Sequence, residues 1–453
     1  MRLEKTFPVS GVLSILFAVI AIAIMTLQLL TPPILGIADN TDFRRISFQV
    51  GITPAASPAT LFKYVDLRFP FSMPQRFEYA SSELLFCKVA RTMNRVFFSK
   101  EVFDIRFLGA THLTVYAIAL FLFALAIRLR WAKKLIFLAL CLFMLVDDRI
   151  TSYFNSFYSE GASVVFLMLT LAAMLLLGIK SPSRWRCWVN ILSFLLFSIL
   201  LGFSKIQNLI MLLPLWVFGI CVALRFLKSP ASRRGWAIAT CVLMIGGLWL
   251  GVASRAYAYT KGNHIRIILG NEIKKHSKNY GKDLRELHAT ENDISRVTLV
   301  RIGLFYANHP KRYWNLLKRR AAQTFQSIPY GSYTRTESRW PWEQSAKFTV
   351  WWRFKADYYP KKLWFIFGTL AVSAFLGVYN YFTAHAHRQS HTGLVTATLS
   401  AMAACAFFIA ATFEAEGMEK NFFLFNVLFD LVTVFSISLA CMSFKSVRAF
   451  LHH

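Results

Sequence analysis

Residues 9–30 read VSGVLSILFAVIAIAIMTLQLL, a run without a single charged side chain. A helix of this length crosses the ~30 Å of hydrocarbon in a bilayer. Only helices and closed barrels satisfy every backbone group in lipid, and the run lacks the alternation of a barrel strand. It also lacks a clear cleavage motif of small residues, so we expect it to stay in the protein as an anchor. The run therefore predicts a transmembrane helix.

Similar runs recur along the 453 residues, which are 56% hydrophobic and 16% aromatic. A soluble chain could not keep so much apolar surface from water. We therefore predict an all-α polytopic membrane protein with about ten transmembrane helices, of which the third and fifth are short: Val9–Leu30, Gly109–Ile127, Leu135–Val146, Ala162–Leu177, Trp188–Phe203, Leu209–Phe226, Trp236–Ala253, Leu363–Phe382, Leu394–Ala411 and Phe422–Met442.

The charges between these runs predict the orientation. Each span moves the chain to the other side of the membrane. Counting the predicted spans therefore places Arg2 and Lys5 on the same side as the basic loops 128–134, 180–186 and 225–234 and the basic tail 445–448. The short loops on the other side, 147–160 and 414–420, contain acids. Short basic loops stay in the cytoplasm, so we expect both termini there. Much of the formal net charge of +28 is then an orientation signal, and we expect no nucleic-acid partner.

Two long segments fall on the outer side, and both are predicted to be mainly helical. The chain divides into an N-terminal transmembrane module 1–253 with the external loop 31–107, a basic external segment 254–361, and C-terminal transmembrane helices 362–453. In the basic segment, helical periodicity predicts helices at Ile294–Asn308 and Lys311–Gln326, the second starting from Pro310. Long loops are exempt from the charge rule, and the expected partners of this basic segment are membrane lipids or lipid phosphates.

Residues 36–45, just after the first span, read GIADNTDFRR. A carboxylate there, Asp39 or Asp42, could take the proton from an acceptor hydroxyl, and the second could hold a divalent cation. Arg44 and Arg45 could neutralise a phosphate leaving group. The alternative is structural, with Asp39 or Asn40 capping a short helix. One residue could do both, so the two interpretations stay open.

Residues 147–160 read DDRITSYFNSFYSE and join the third span to the fourth. Charges and hydroxyls so close to two spans would be costly facing lipid, which favours a cavity lining over an ordinary interface loop. In residues 202–208, GFSKIQN, Lys205 could bind a phosphate as a point charge or extend to the headgroups. Asp430 lies inside the last span, where an acid indicates either a functional site or a hydrogen bond to a neighbouring helix.

The motifs that are missing narrow the chemistry. No P-loop, GxSxG, HExxH or GxGxxG stands in a suitable context. No large cytoplasmic domain remains for a nucleotide-sugar enzyme, so activated sugar would have to arrive on a lipid. The seven cysteines include no CxxC and are interpreted as small apolar residues of the spans.

The order of these motifs resembles the GT-C superfamily of multi-span glycosyltransferases, which use polyprenyl-phosphate sugars. ADNTDFRR (38–45), FDIRFLG (103–109), YFNSFYSEG (153–161), FSKIQN (203–208) and FYANHPKRYW (305–314) are similar to the WsfD-like bacterial hexosyltransferases of surface-glycan assembly. The similarity runs over most of the chain in the right order. Many relatives carry adjacent acids in the first loop, whereas Asn40 and Thr41 separate the acids here, which leaves the base open between Asp39 and Asp42.

The resemblance implies a role for each candidate residue. Asp39 or Asp42 would be the catalytic base of an inverting transfer. A further group would position the acceptor or a cation: Asp148, Glu160, Tyr153 and Asn155. The donor phosphate would be bound by four cations: Arg44, Arg45, Arg149 and Lys205. Asp42 and Asp148 are the candidate ligands if a divalent cation, Mg²⁺ or Mn²⁺, takes part.

The sequence therefore predicts a hexosyltransferase of the bacterial cytoplasmic membrane with its active site on the outer face. A polyprenyl-phosphate sugar would be the donor, and a glycan or lipid-linked acceptor would receive it. A flippase or transporter of lipid-linked sugars, and a polymerase or ligase of the same glycans, remain the alternatives. An integral acyltransferase is the most distant one.

Overall fold

A computed structural model describes residues 7–54, 59–75, 79–179, 184–226, 230–253, 272–287, 297, 299–326, 329–384, 387–413 and 418–451. Predictions that concern Glu414, Glu416 or most of residues 254–298 lie outside these ranges. The described elements, in chain order, are α1 (Phe7–Leu29), α2 (Arg44–Ser47), β1 (Arg68–Pro70), α3 (Glu83–Phe97), β2 (Val102–Asp104), α4 (Arg106–Ala126), α5 (Trp131–Leu145), α6 (Asp148–Thr151), α7 (Glu160–Leu177), α8 (Arg184–Ser204), α9 (Leu212–Phe226), α10 (Pro230–Ala253), α11 (Tyr280–Glu286), α12 (Leu299–Asn308), α13 (Pro310–Ala321), α14 (Val350–Tyr358), α15 (Leu363–Thr383), α16 (His387–Phe413), α17 (Met418–Asn421) and α18 (Phe423–Leu451).

The predicted polytopic helical fold is confirmed. Within the described ranges, eight helical stretches are long and apolar enough to cross a membrane, in α1, α4, α7, α8, α9 with the turn before it, α15, α16 and α18. The most deeply buried is α7, whose core contacts come from α4, α8 and α18. The protein is a multi-pass membrane protein.

The other two predicted spans correspond to α5 and α10. Helix α5 has only 15 residues, about 22 Å at 1.5 Å each. At its start, Lys134 donates to Ser14 Oγ at 2.8 Å, and just past its end Val146 O accepts from Gln28 Nε2 at 3.0 Å. Ser14 lies toward the start of α1 and Gln28 toward its end, so α5 runs parallel to α1 along most of its length. Helix α10 packs on α8 and α9, and its apolar part is Gly235–Gly247.

Contacts between helix ends sort the spans onto two sides. On one side, His391 Nε2 at the start of α16 hydrogen-bonds Met174 O at the end of α7, at 2.8 Å. On the other side, Lys205 Nζ, just after α8, donates to Asn421 Oδ1 just before α18, at 2.9 Å. These contacts follow the alternation predicted from the loops. The contacts of Asp42 with Lys420 and of Tyr313 with Thr412 place both long outer segments on the same side as Lys205.

The first outer segment, between α1 and α4, contains an element that the sequence did not predict. Strands β1 and β2 form a two-stranded antiparallel sheet in which Phe69 pairs with Phe103. Both rings are fully buried and lie within 6 Å of the Phe157 ring, at 5.3 Å and 5.8 Å between centroids. Aromatic burial against the loop before α7 therefore fixes the sheet, although its strands are only three residues long.

The second outer segment joins the bundle through α13 and α14. Pro310 starts α13 in the first turn, as predicted, because its missing N–H would have no partner there. Leu316 on α13 packs in a small local core, whereas Leu317 and Ala321 pack in the main core. Helix α13 therefore connects the outer segment to the membrane bundle.

Candidate functional site

The loop after α1, which begins the first outer segment, is held by contacts with the second outer segment. Gly36 N and Ala38 N donate to Ser332 O and Gly331 O at 3.1 Å and 2.9 Å. A side chain at Gly331 would collide with Lys63 O, which lies 1.8 Å from the position of a Cβ, so only glycine fits this crossing. The loop that carries both predicted catalytic acids is thus fixed by backbone contacts from residues far away in sequence.

One carboxylate oxygen of Asp39 accepts hydrogen bonds, and the other has no hydrogen-bond partner. Its Oδ1 accepts from the backbone N–H groups of Thr41 at 2.7 Å and Phe43 at 3.2 Å, which is the capping role considered from the sequence. Its Oδ2 is buried and has no hydrogen-bond partner. Burial, opposed by these two N–H groups, raises the pKa of Asp39 to about 6. Capping and proton transfer are therefore compatible in this one residue.

The turn that follows Asp39 is strained. Thr41 has a φ of +82°, in the left-handed region that β-branched residues rarely adopt. Strain of this kind costs roughly 1–3 kcal/mol and concentrates at functional sites. Here it accompanies the turn that brings the N–H groups of Thr41 and Phe43 to the same oxygen of Asp39.

Asp42 is surrounded by cations. Its Oδ1 pairs with Arg45 at 2.9 Å, and its Oδ2 pairs with Lys420. Burial alone would raise the pKa of Asp42, but the charges of Lys420 and Arg45 outweigh burial and hold it at about 2. Asp42 is therefore ionised across the physiological range and has both oxygens engaged.

Lys420 is a residue that the sequence analysis missed. Its Nζ lies 4.8 Å from the centroid of the Tyr158 ring, and its side chain is only 9% exposed. The Tyr158 hydroxyl donates to Ala38 O and accepts from Asn40 N, each at 3.0 Å. The available signal was a lysine two residues before the long apolar run that starts at Phe422.

Two of the predicted residues, Glu160 and Lys205, form a neighbouring ion pair. Lys205 Nζ lies 3.0 Å from Glu160 Oε1 and is also bound to Asn421, the residue after Lys420. The positive charge of Lys205 contributes to the low pKa of Asp42. Lys205 therefore belongs to the same electrostatic cluster as Asp42, Arg45 and Lys420. We call these four residues and Asp39 the loop cluster.

A pair that the sequence analysis did not single out supports the start of α7. Glu83 accepts from Ala162 N at 2.9 Å and contacts His112 Nε2 at 3.1–3.2 Å, with both side chains fully buried. The imidazole of His112 is stacked on Phe86 and Phe154, with centroids 4.3 Å and 5.2 Å away. Because α7 starts at Glu160, this pair fixes the segment that presents Tyr158 and Glu160.

Asp148 and Arg149 lie in a different group of residues. Asp148 Oδ2 accepts from Thr349 Oγ1 at 3.1 Å, and Arg149 Nη2 donates to Ser345 O at 3.2 Å. The preceding Asp147 caps α6 through Arg149 N and also accepts from Trp352 N at 2.9 Å. Burial, and then the charge of Asp148, raise the pKa of Asp147.

Asp430 belongs to this second group. Its Oδ2 lies 2.7 Å from Lys355 Nζ, and both side chains are buried. Lys355 also lies 4.2 Å from the centroid of the Trp352 ring. We call Asp147, Asp148, Arg149, Lys355 and Asp430 the buried cluster. It joins α14 of the outer segment to α18 and to the end of α5.

The described contacts do not bring Asp42 and Asp148 together as a metal site. The two oxygens of Asp42 face Arg45 and Lys420, while Asp148 faces Thr349 and Arg149. Among the described residues, no group of three or more His, Cys, Asp or Glu side chains is arranged to hold a metal ion. The residues present therefore do not fit the divalent cation considered from the sequence.

The remaining predicted residues have other contacts. Asn155 Nδ2 donates to Leu29 O at 2.9 Å and Leu35 O at 2.7 Å, which holds the turn after α1. Tyr153 packs against Phe423, with centroids 4.4 Å apart. Arg44 is exposed next to the loop cluster. Asn155 thus holds the start of the loop that carries Asp39, and Tyr153 packs on the first residue of α18.

Comparison with known families gives one match that spans nearly the whole chain. A family model described as the YfdI N-terminal transmembrane domain matches residues 3–266 and 274–449. No curated protein and no solved structure matches the chain. The match concerns a transmembrane domain, which agrees with the helices described above, and its description states no reaction.

Proposed function

We propose that this chain, which belongs to the family of the YfdI N-terminal transmembrane domain, is a GT-C type glycosyltransferase that uses a polyprenyl-phosphate sugar. The observation that carries the proposal is Asp39, whose buried Oδ2 has no hydrogen-bond partner, in the same loop as Asp42, which binds two cationic side chains. A general base works best with a pKa near the working pH, and the pKa of Asp39 is about 6. The resemblance of the loop motifs to surface-glycan hexosyltransferases supplies the reaction class.

In the proposed reaction, an acceptor hydroxyl attacks the anomeric carbon of the donor sugar. The new bond joins the acceptor oxygen to that carbon, and the bond from the carbon to the phosphate oxygen breaks. Asp39 Oδ2 takes the hydroxyl proton, and the bonding electron pair leaves with the lipid phosphate. Attack from the face opposite the phosphate inverts the anomeric centre, so one base is sufficient.

The cations of the loop cluster would stabilise the departing phosphate. Lys420, Arg45 and Lys205 carry the positive charge that acts on Asp42, and charge that is fixed in place before the reaction lowers its barrier. Asp42 is poorly suited to be the base because two cations hold it ionised, with a pKa of about 2. We assign it the role of positioning Lys420 and Arg45.

The proposal uses no step through a metal ion, because both oxygens of Asp42 are engaged by cationic side chains. Transfer should then continue in the presence of EDTA. A loss of activity that Mg²⁺ or Mn²⁺ restores would return a divalent cation to the mechanism and require Asp42 to release Lys420 or Arg45.

We further propose the bacterial cytoplasmic membrane as the location, with both termini in the cytoplasm and the loop cluster on the outer face. The support comes from the short basic loops, which the alternation of spans assigns to the side opposite Asp39. The acceptor would then be a glycan or lipid-linked glycan on the outer face. A reporter fused after residue 453, active only in the cytoplasm, tests this orientation.

A flippase, or a polymerase or ligase of lipid-linked glycans, remains the alternative. A transporter would use an intramembrane acid along a path for its cargo, but Asp430 is paired with Lys355 and buried. This contact favours a structural role for Asp430. A polymerase would share the base and the cations, and differs only in transferring a whole oligosaccharide.

The decisive experiment measures sugar transfer in membranes that contain a radiolabelled polyprenyl-phosphate hexose. Asp39→Asn should lower the rate about a thousandfold, because it removes the general base but keeps the shape of the side chain. Asp357→Asn is the matched control, since Asp357 is an exposed carboxylate on α14, and should keep full activity. Undiminished transfer by Asp39→Asn would refute the mechanism.

A further inference from the structure

Helix α3 of the first outer segment has three faces of different composition. Its sequence is ELLFCKVARTMNRVF, and its one acid, Glu83, is buried. At about 100° per residue, the buried, the basic and the exposed apolar side chains form three separate stripes, spaced about a third of a turn apart. The buried stripe contains Glu83, Phe86, Cys87, Ala90 and Asn94.

The apolar stripe of α3 is exposed along the whole helix. It consists of five large side chains: Leu85, Val89, Met93, Val96 and Phe97. Val96 and Phe97, near the end of the helix, are 68% and 74% exposed. Contiguous apolar side chains of this kind mark a surface that binds another apolar phase, either protein or membrane.

The basic stripe of α3 consists of Lys88, Arg91 and Arg95. Lys88 and Arg95 are exposed, and the guanidinium groups of Arg91 and Arg95 lie 5.6 Å and 5.8 Å from the centroid of the Phe71 ring. Within the described ranges, the ion pairs include none of these three side chains. The stripe therefore presents positive charge that no described carboxylate neutralises.

The start of α3 lies level with the end of a span. Just before the helix, Ser81 Oγ donates to Ser204 O at 2.7 Å. Its neighbour Ser82 Oγ donates to Leu200 O at 2.9 Å. The spanning stretch of α8 ends at Ser204, and Lys205 of the loop cluster follows it. Helix α3 therefore begins at the membrane boundary, on the side of the loop cluster.

The buried stripe packs against two further spans. The Phe86 ring stacks on His112 of α4, with centroids 4.3 Å apart, and lies 5.5 Å from Phe166 of α7. Toward the other end of α3, Asn94 Oδ1 accepts from Asp104 N at 2.8 Å, two residues before α4. Helix α3 therefore lies on the rim of the bundle, between the end of α8 and the start of α4.

A helix in this position meets three environments. The side against the bundle is covered by protein, the side toward the membrane interior meets acyl chains, and the side toward the surface meets headgroups and water. The buried, apolar and basic stripes of α3 match these environments in composition and in spacing. Interfacial helices bind membranes in this way, with an apolar face among the acyl chains and a basic face at the headgroups.

We propose that α3 is an interfacial helix that binds anionic phospholipid in the leaflet on the side of the loop cluster. The apolar stripe inserts among the acyl chains, and the basic stripe binds the phosphates of the headgroups. Anionic lipid fits better than zwitterionic lipid because the stripe carries three positive charges and no exposed acid. The inference is independent of the proposed function, since no step of sugar transfer enters into it.

The first experiment measures the depth of the two exposed stripes. A fluorescent amino acid replaces Met93 or Arg95 in the full-length protein, in nanodiscs that hold one copy and contain lipid with a nitroxide quencher on the acyl chain. The two positions face opposite sides of a helix about 10 Å wide, so quenching should be about threefold stronger at position 93. Equal quenching at both positions, or none at position 93, would show that water or another protein covers the apolar stripe and would overturn the insertion.

The second experiment tests the headgroup, with the fluorescent residue kept at position 93. Nitroxide-labelled phosphatidylglycerol should quench about twofold more strongly than labelled phosphatidylcholine at the same mole fraction, and less so at high salt. The variant Lys88→Gln with Arg95→Gln should lose most of this preference. Equal quenching by the two lipids without these substitutions, or an unchanged preference in the variant, would overturn the assignment to anionic lipid.

Lys278→Gln with Lys282→Gln is the matched control for the second experiment. It removes the same charge from two exposed positions, one just before α11 and one within it. This variant should keep the preference for phosphatidylglycerol. A loss as large as in the α3 variant would show that the net charge of the protein attracts the lipid, and the basic stripe would then have no specific role.

Discussion

The loop cluster and the buried cluster contain similar residues in different states. Each combines aspartates with lysine and arginine. In the loop cluster, one carboxylate oxygen of Asp39 is buried without a hydrogen-bond partner, whereas Asp42 pairs with two cationic side chains. In the buried cluster, Asp430 is matched to Lys355, and Asp147 accepts from two backbone N–H groups.

The difference lies in what each cluster connects. The buried cluster links α14, α18 and the end of α5, so its contacts hold an outer helix onto the membrane bundle. Asp39 and Asp42 of the loop cluster lie in a strained loop that backbone contacts with the second outer segment hold in place. We therefore interpret the buried cluster as structural and the loop cluster as the reactive one, and the following predictions test that division.

The largest effect is expected from Lys355→Met. Removing this lysine leaves Asp430 buried without a counter-charge, which typically lowers the free energy of unfolding by about 3–5 kcal/mol. Thermal unfolding of the protein in nanodiscs measures the loss. Transfer per folded molecule should stay close to normal, because Lys355 does not contact the loop cluster in the described contacts.

The double variant Lys355→Met with Asp430→Leu is the control for this experiment. Replacing a buried ion pair with apolar side chains of similar size is often neutral or stabilising, so most of the lost stability should return. If transfer per folded molecule is lost in the double variant although stability returns, the buried cluster has a direct role in the reaction.

The second prediction concerns Asp39 and stability. Because burial raises its pKa from 3.8 to about 6, its stabilising contribution is complete below pH ~4 and is lost as the pH rises through about 6. Asp39→Asn should therefore increase the free energy of unfolding by about 2–3 kcal/mol at pH 7.5, and by little at pH 4. Unfolding measured at both pH values tests this dependence.

Asp42→Asn should have the opposite sign at pH 7.5. The pKa of Asp42 is lowered to about 2, so its contribution is present above pH ~4 and is lost only as the pH falls through about 2. The substitution removes the partner of Lys420 and Arg45 and should destabilise the protein. Equal effects of the two substitutions at pH 7.5 would contradict the distinction between the two acids.

The sequence predicted the membrane architecture well because hydrocarbon thickness fixes the length of an apolar run. Eight of the ten predicted spans coincide with helices long enough to cross. The short third span could not be judged from length, since α5 is defined by its contacts with α1 at both ends. The sheet of β1 and β2 was missed because strands of three residues carry too little pattern.

The candidate site was only partly predictable for a different reason. The sequence singled out Asp39, Asp42, Arg45, Glu160 and Lys205, because acids and bases near apolar runs are costly and therefore informative. It could not tell Asp39 from Asp42, since their pKa values diverge through burial and through Lys420, which is 378 residues away from Asp42. It also grouped Asp148 with Asp42, although their described partners differ.

A third, smaller effect is expected from Lys420→Gln. The substitution removes a cation from the proposed phosphate site and should lower kcat/KM for the lipid donor about tenfold, equivalent to about 1.4 kcal/mol of transition-state stabilisation. Lys362→Gln, at an exposed lysine just before α15, is the control and should leave this value unchanged. Equal losses in both variants would show that only general surface charge matters.

The smallest effects are expected from substitutions at Asp42 and Arg44, which should move the pKa of Asp39 in opposite directions and so test its assignment as the base. The negative charge of Asp42 raises the pKa of Asp39, and the positive charge of Arg44 lowers it. Transfer should increase with pH through about 6 as Asp39 loses its proton. Asp42→Asn should shift this midpoint down and Arg44→Gln should shift it up, each by a few tenths of a pH unit. The shift caused by Arg44→Gln should be smaller at high salt, because Arg44 is exposed. A midpoint that moves in the same direction in both variants would assign the titration to another group, since no single charge effect on Asp39 produces that result.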